Sequence, residues 1–310
     1  MLQTVKSIPA NWLAFELNIL RRLEFSSVAI PFMGDPTLGV HLKRRDIRVT
    51  TNDLLQSAWT RSVAEIQNNG EALTEDDVNS ILEDVYVPRH KLKNPALRKW
   101  FNETDSWWFD NVRQNLDRLH SPFAFAIGIS LAIAVGDYLR SFTEATAELR
   151  QPLSNVFRRL WASRNDPVNN RQNNTCHNKL STDFIAESKT DLMYLRMPPP
   201  APAFGRGNTS PAVWREEWFR GGDEFWDDVE LARNGKLGAP VETRSQYLNL
   251  LADALQTASH IPNWAIAHVE SGFITTQDIV DVIANMRRVD SIFSKDFTEL
   301  TGTKAVVITA

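Results

Sequence analysis

Cysteine is nearly absent from this chain of 310 residues, which contains only Cys176. A single thiol excludes an intramolecular disulfide and a metal site built from several thiolates, and it suits a reducing compartment. We therefore predict a cytoplasmic protein. The six histidines are scattered and form no His-x-x-x-His pair, so we predict no metal site. A Gly-x-Ser-x-Gly elbow is also lacking, which argues against serine-dependent hydrolysis.

Long apolar runs and an excess of positive charge are missing too. The amino-terminal end has no charged segment followed by an apolar stretch, so no signal peptide is expected. The longest apolar run, 123–135, is too short to span a bilayer, and we predict a buried helix there and no membrane association. The formal net charge of −4 argues against a strongly basic nucleic-acid-binding protein. It leaves room for a local basic groove.

Hydrophobic periodicity near the start of the chain predicts a βαβ unit. Residues 10–25 have the spacing of an amphipathic helix, and 28–33 form a short apolar run typical of a buried strand. A turn at 34–39 leads into a helix that starts at 40–45, and 46–51 form a second strand. Strand, helix and strand within about 30 residues make the smallest βαβ unit.

After residue 53, the sequence pattern predicts a mostly helical segment followed by strands that alternate with helices. Residues 54–165 are mostly helical in pattern, and the proline-rich stretch 197–211 is a loop. The expected later elements are strands at 174–178, 191–196, 264–269, 289–293 and 305–309, and helices at 244–259 and 276–288. This pattern predicts an α/β fold with a mainly parallel sheet. We assign 1–55 and 170–310 to that domain and 56–169 to a mainly helical insertion.

Four segments carry a family resemblance. They lie, in order, at 32–38 (FMGDPTL), 48–53 (RVTTND), 190–200 (TDLMYLRMPPP) and 258–310. Together they resemble the motifs of Dam-like (class alpha) adenine-specific DNA methyltransferases. The resemblance implies a Rossmann-type methyltransferase sheet, with the helical insertion 56–169 in the position of a target-recognition domain.

The first two segments correspond to the family's S-adenosylmethionine site. The resemblance implies that Phe32 and Gly34 belong to the loop that holds the cofactor, and that Asp53 binds its ribose hydroxyls. Glycine suits a loop whose backbone comes close to a ligand, but Pro36 stands where the family has a second glycine. Asp53 could instead cap the following helix. Two alternatives therefore stay open, namely no cofactor or S-adenosylmethionine.

The third segment corresponds to the catalytic Asp-Pro-Pro-Tyr of the family, and here it is degenerate. In direct alignment Arg196 replaces the acid and Pro199 the tyrosine. With a slip of one residue, Met197 and Pro200 take those places, and Pro198 keeps the first proline. An arginine cannot accept the hydrogen bond that the adenine amine donates, so we predict no catalytic residue in this motif. An active enzyme would need an acid such as Asp53 or Asp223, and a stacking ring such as Phe204.

Charged and aromatic clusters are the candidates for binding. Basic residues that could contact DNA phosphates are Lys43, Arg44, Arg45, Lys91, Lys93, Arg158 and Arg159. Solvated helix faces would explain the same residues. Between 214 and 228, tryptophans and phenylalanines alternate with acids. These aromatics could form hot spots for a protein partner, or they could fold back over the sheet.

Three functions are consistent with the sequence. The leading hypothesis is a catalytically degenerate methyltransferase-like protein that serves as a DNA- or partner-binding subunit. Its partner would be an active methyltransferase, or a defence, restriction-modification or mobile-element complex. The alternatives are a divergent, active adenine-specific DNA methyltransferase and a protein-interaction module with no role in nucleic-acid binding.

Overall fold

A seven-stranded sheet organises the molecule, as seen in a computed structural model that describes residues 12–84, 91–201, 204–270, 272–298 and 302–310. The strand order is β3-β2-β1-β4-β5-β7-β6. The strands are β1 (Ser27–Ile30), β2 (Arg48–Asn52), β3 (Thr175–His177), β4 (Leu192–Arg196), β5 (Asn263–Glu270), β6 (Ser291–Asp296) and β7 (Lys304–Thr309). Strands β1 to β5 are mutually parallel, and β7 runs antiparallel between β5 and β6.

The predicted Rossmann-type α/β fold is confirmed by this sheet. We call the edge where β1 to β5 end the carboxyl edge, and the edge where they begin the amino edge. Strand β1 has β2 on one side and β4 on the other, so the direction of winding reverses between β1 and β4. In open α/β sheets, ligands bind outside the carboxyl ends of the strands at such a reversal.

Helices cover both faces of the sheet. The chain segment that connects β2 to β3 forms a separate helical layer. The helices are α1 (Trp12–Leu20), α2 (Thr37–Lys43), α3 (Gln56–Ser62), α4 (Glu75–Ile81), α5 (Glu103–Leu116), α6 (Pro122–Arg140), α7 (Leu153–Ala162), α8 (Ser181–Glu187), α9 (Pro211–Arg220), α10 (Trp226–Arg233), α11 (Arg244–Thr257) and α12 (Thr276–Ala284). Shorter turns follow α3 as a π-helix (Val63–Gln67), precede α5 (Pro95–Lys99) and precede α7 (Glu144–Leu149).

Alternation along the strands divides the sheet's side chains between two cores. On β4, Leu192 and Tyr194 pack under α1 and α2, whereas Met193 and Leu195 pack under α8, α11 and α12. Successive side chains of a strand point to opposite faces, so a strand covered on both sides is apolar throughout. This is why the predicted strand 28–33 is a continuous apolar run.

The helical insertion has its own core, centred on α6. Ser121 caps α6 with its side chain, and Pro122 occupies the first turn, where a missing N–H costs nothing. Among the described residues, one helix, α6, is long and apolar enough to cross a membrane by length and composition alone. Its apolar residues lie inside the cluster formed by α4 to α7 and α9.

Helices α9 and α10 were not predicted. Trp214 and Trp218, spaced one helical turn apart on α9, are fully buried in the core of the insertion. At Gly136 of α6, a Cβ atom would lie 2.2 Å from the Trp214 ring, so only glycine allows this contact. Glu216 and Glu217 lie on the buried side of the same helix, which hides the helical pattern. The segment 211–220 therefore packs with the insertion, although the sequence assigns it to the α/β domain.

Candidate functional site

The carboxyl edge brings together the ends of β1, β2 and β4, as the resemblance implies. Gly34 follows β1 with a positive φ of 59°, a conformation that favours glycine. Its backbone N–H donates to Oδ2 of Asp53, which follows β2, at 2.8 Å. Two of the three predicted cofactor residues are therefore in direct contact with each other.

Both carboxylate oxygens of Asp53 accept hydrogen bonds from the backbone. Oδ2 accepts from Gly34, and Oδ1 accepts from the backbone N–H of Leu55 at 2.9 Å, just ahead of α3. Burial raises the pKa of Asp53 to about 6, and these two hydrogen bonds oppose the shift. The carboxylate thus joins the first loop to the start of α3, whether or not a ligand is bound.

Phe32, the third predicted cofactor residue, packs into the apolar core on the side of α11. A Cβ atom on Gly238 would lie 3.3 Å from the Phe32 ring, and Pro198 would be its neighbour. The loop before α11 therefore lies over the place where β1 and β4 end.

Asp35, next to Gly34, is held by an ion pair. Nη2 of Arg61 on α3 lies 3.0 Å from Oδ2 of Asp35, and Thr37 donates both its N–H and its hydroxyl to Oδ1. Burial alone would raise the pKa of Asp35, but the bonds from Thr37 and the charge of Arg61 outweigh it, so the net shift is downward. The loop that would hold the cofactor is thereby closed by contacts within the protein.

Arg196, in place of the catalytic acid, forms a buried ion pair with Glu16 of α1. Nε and Nη2 of Arg196 donate to the two Glu16 oxygens, each at 2.7 Å. The hydroxyl of Tyr194 donates to Oε1 of the same carboxylate at 2.8 Å. The Glu16 side chain is fully buried, whereas that of Arg196 keeps 17% of its surface exposed. Burial lowers the pKa of Arg196, but the bonds and charge of Glu16 more than offset this and raise it overall.

The proline loop that follows β4 is held by α11 and the segment before it. Tyr247 donates its hydroxyl to the carbonyl oxygen of Pro198 at 2.6 Å, and Val241 donates its N–H to the carbonyl of Pro200 at 3.1 Å. In the register where Pro198 is the first proline of the motif, its carbonyl would have to accept the adenine amine. Tyr247 already donates to that oxygen.

The substitute catalytic groups have partners elsewhere. Asp223 forms an ion pair with Lys99, and the hydrogen bond and the charge of that lysine lower the pKa of Asp223. The Phe204 ring stacks against the Arg233 guanidinium at 4.7 Å and lies 6.3 Å from the Trp226 ring. Neither group is brought next to Arg196 by a described contact.

Helix α9 contributes a second buried carboxylate near this edge. Glu216 accepts the backbone N–H groups of Gln56 and Ser57, at 2.9 and 2.8 Å, and so caps the amino end of α3. The next residue, Glu217, accepts from the indole nitrogens of Trp100 and Trp226 at 2.7 and 3.1 Å. These acids fasten α9 to α3, to the turn before α5 and to α10.

The three tryptophans of 214–226 are buried within the protein. Trp214, Trp218 and Trp226 are each 0% exposed, and Trp214 and Trp218 pack among the helices of the insertion. Both predicted alternatives were therefore wrong for these two rings, which neither face solvent nor lie on the sheet. The spacing of Trp214 and Trp218, four residues or about one helical turn apart, was the available signal.

An open cleft of about 560 Å³ lies beside the start of α3, away from Arg196. Its lining includes Arg113, Arg220 and Phe219. Arg113 is bonded to Asp117 at 2.6 Å, and Arg220 to Glu216 at 2.7 Å. Both cations in this cleft are thus already paired.

Lys43 was predicted to contact DNA, and the structure corrects this. It is fully buried, and its Nζ donates to the carbonyl of Asn68 at 2.6 Å. Burial lowers its pKa to about 8. A phosphate cannot reach it, because Lys43 is the last residue of α2 and its side chain extends inward to the Asn68 carbonyl.

The other predicted DNA-binding residues are exposed but do not share one element. Arg44 and Arg45 follow α2 and lie at the amino edge, on the far side of the sheet from Gly34. Lys91 and Lys93 precede α5. Arg158 and Arg159 lie on α7, where their side chains bond Asn79 at 2.8 Å and Gln151 at 3.0 Å.

Sequence reasoning missed Glu16, Arg61 and Tyr247. For Glu16 a signal was present, because the buried face of α1 consists of Trp12, Phe15, Glu16, Ile19 and Leu20. An acid on the apolar stripe of a helix predicts a buried cationic partner. Arg61 and Tyr247 carry no such signal, since the Asp35 carboxylate and the Pro198 carbonyl that they contact are brought near only by the fold.

The carboxylates that these contacts place at this edge are already hydrogen-bonded within the protein. Glu16, Asp35 and Asp53 each accept two or more hydrogen bonds from within the protein. No group of three or more histidine, cysteine, aspartate or glutamate side chains among the described residues could hold a metal ion. No family model matches the chain, and no curated protein matches it.

Proposed function

We propose that this protein is a catalytically degenerate methyltransferase-like protein that acts as a DNA- or partner-binding subunit and transfers no methyl group. The observation that carries the proposal is the ion pair between Arg196 and Glu16. A cation stands where the resemblance implies a catalytic acid, and a buried carboxylate holds it with two bonds of 2.7 Å.

The strand order supports the methyltransferase-like part of the proposal. The dinucleotide-binding sheet has the order 3-2-1-4-5-6. This protein has the same first five strands, with the antiparallel β7 inserted between β5 and β6. The resemblance drawn from the sequence implies a Rossmann-type sheet of this general kind. Fold alone does not imply activity, so the argument for function has to come from the site.

The state of the loops supports the absence of catalysis. The Gly34 N–H, which in an open loop could face the ligand, donates to Asp53. The Asp35 carboxylate would face the carboxylate of the cofactor's methionine part, which is a like-charge contact. Releasing Arg196 would leave Glu16 buried and unpaired, at a cost of about 3–5 kcal/mol. Cofactor binding would have to overcome the first two effects, and an adenine amine that approaches the degenerate motif would meet the third.

The test is calorimetric titration of the full chain with S-adenosylmethionine and, separately, S-adenosylhomocysteine. We expect no heat beyond dilution up to about millimolar ligand, which corresponds to less than about 4 kcal/mol of binding free energy. A known active adenine methyltransferase, titrated in the same buffer, is the positive control. Micromolar affinity for either ligand would contradict the proposal and favour the divergent active enzyme.

A second arm asks whether the ion pair is the obstacle. The variant Arg196→Asp alone would place two carboxylates together, so we expect it to lose stability and gain no affinity. The variant Glu16→Gln/Arg196→Asp restores an acid beside a neutral partner. If that double variant binds the cofactor while the natural chain does not, the substitution at Arg196 is what abolished binding.

A further inference from the structure

The amino edge of the sheet carries a row of exposed basic side chains. They precede four different strands, because in a doubly wound sheet every returning helix ends at this edge. The exposed members are Arg21, Arg22, Arg44, Arg45, Lys189 and Arg288. The whole chain has a net charge of −4, so this local excess of positive charge runs against the composition.

The sheet register fixes how these residues are arranged. Arg48, which begins β2, pairs with Ser27 of β1, and Leu192 of β4 pairs with Val28. Arg48 also donates from Nη2 to the carbonyl of Lys189 at 2.9 Å, which brings the start of β2 next to the turn before β4. From β2 to β6 the edge crosses five strand intervals, or about 24 Å at roughly 4.8 Å each.

Most of these cations have no partner within the protein. The side chains of Arg21, Arg44, Arg45, Lys189 and Arg288 form no hydrogen bond or ion pair with any described residue. Arg22 lies over the Phe293 ring at 5.7 Å, which leaves its charge unpaired.

Carboxylates at this edge are fewer than the cations. Asp191 accepts from the backbone and hydroxyl groups of Ser26 and from the N–H of Ser27, at 2.6–2.9 Å, and those bonds lower its pKa, so it keeps its negative charge. Glu187 is paired with Lys179 at 2.6 Å. The exposed acids that remain nearby are Glu24, Asp46 and Asp290.

The carboxyl edge shows the opposite pattern. There the arginines are neutralised one by one, Arg61 by Asp35, Arg196 by Glu16 and Arg220 by Glu216. A phosphate backbone approaching that edge would find no unpaired cation among these three. A polyanion is therefore attracted to the amino edge instead.

We propose that the amino edge binds the phosphate backbone of double-stranded DNA without reading its sequence. This inference rests on the proposed function, and it places the DNA on the side of the sheet opposite the degenerate motif. Along 24 Å of B-form DNA each strand presents about seven phosphates, at roughly 3.4 Å of axial rise each, so six cations find enough partners.

Fluorescence anisotropy with a labelled 30-base-pair duplex of arbitrary sequence tests the proposal, using the full chain at about 50–200 mM salt. Contacts by five or six cations predict a slope of about −5 in a plot of log K against log salt. Two variants remove charge from the edge, Arg44→Gln/Arg45→Gln and Arg21→Gln/Arg288→Gln. Each should reduce the magnitude of the slope by about 1.8, because about 0.9 is lost for each phosphate contact.

The matched control is Lys91→Gln/Lys93→Gln, which removes two exposed charges beside α5 and tests the alternative DNA surface on the helical insertion. We expect its slope to equal that of the natural chain. Thermal unfolding of all four proteins should coincide, since the substituted side chains are exposed and unpaired.

The proposal is overturned if the natural chain does not bind the duplex at about 50 mM salt. It is also overturned if the edge variants bind as the natural chain does, or if only the Lys91/Lys93 control loses slope. Vesicles containing phosphatidylserine serve as a second probe, and binding to vesicles without binding to DNA would likewise refute it. The cofactor titration is a separate measurement. A failure of the protein to bind DNA would therefore leave the proposed loss of catalysis untouched.

Discussion

Substituting Glu16 by glutamine would break the ion pair that fills the degenerate site. The fully buried Glu16 carboxylate accepts three hydrogen bonds, two from Arg196 and one from Tyr194. Glutamine keeps one acceptor oxygen but loses the charge, which leaves the buried guanidinium unpaired. Removing one partner of a buried pair costs about 3–5 kcal/mol.

That loss is large enough to measure by thermal or urea unfolding. With an unfolding entropy of about 2.1 cal/mol/K per residue, 3–5 kcal/mol lowers the Tm of a chain of 310 residues by about 5–8 °C, provided that it unfolds in one step. Arg196→Met should lower the free energy of unfolding by a similar amount, because it leaves the buried Glu16 carboxylate without its cationic partner.

The double variant Glu16→Leu/Arg196→Met decides whether the two residues act as a pair. Replacing both partners by apolar groups of similar size is often neutral, so we expect the double variant to unfold above either single variant. If Glu16→Gln lowers the free energy of unfolding by less than about 1 kcal/mol, the buried pair is not what holds this edge together. The same conclusion follows if the losses of Glu16→Leu and Arg196→Met, each measured alone, simply add up to the loss of the double variant.

Further predictions concern pH and backbone strain. Burial raises the pKa of Asp53 to about 6 from an ordinary 3.8, so between these pH values the folded chain binds more protons than the unfolded one. The free energy of unfolding therefore falls by about 2–3 kcal/mol as pH rises from 4 to 6. Asp53→Asn should abolish this component in urea titrations at several pH values. Burial lowers the pKa of His268 to about 4 from 6.5, so stability is lost as pH falls through that window, and a His268→Gln variant whose acid dependence matches the natural chain would contradict this. Gly34→Ala should cost about 1–2 kcal/mol through its positive φ, whereas Gly70→Ala, at an equally open position with no positive φ, should be neutral or slightly stabilising; equal melting temperatures for the two would refute the strain argument.

Much of the fold was predictable because its signals are local. The buried strands of a doubly wound sheet are short apolar runs between turns, and β1, β2, β4, β5 and β7 all lie within a residue or a few of the predicted positions. The threonine and acids at 74–77 are a local start signal for α4, and the structure shows the reciprocal bonds of a capping box between Thr74 and Asp77. A cap depends on neighbours within four residues, so no tertiary information is needed.

The site was predictable only in part. The sequence placed Gly34, Asp53 and Arg196 at strand ends, and strand ends meet at one edge of a parallel sheet. It did not predict that Glu16 would reach Arg196 across 180 positions, or that Tyr247 would donate to Pro198. For Lys43 the prediction was wrong, because exposure depends on what packs over a helix end and not on the charge of the residue.

By itself, the sequence determined the order and type of the elements, the loss of an acid at Arg196 and the low content of cysteine. Those properties follow from periodicity, turn chemistry and residue identity, which act over a few positions. Only the tertiary structure decided that the charges of the carboxyl edge neutralise one another while those of the amino edge stay unpaired. Electrostatic attraction depends on distance in space, and the fold sets that distance between residues far apart in the chain.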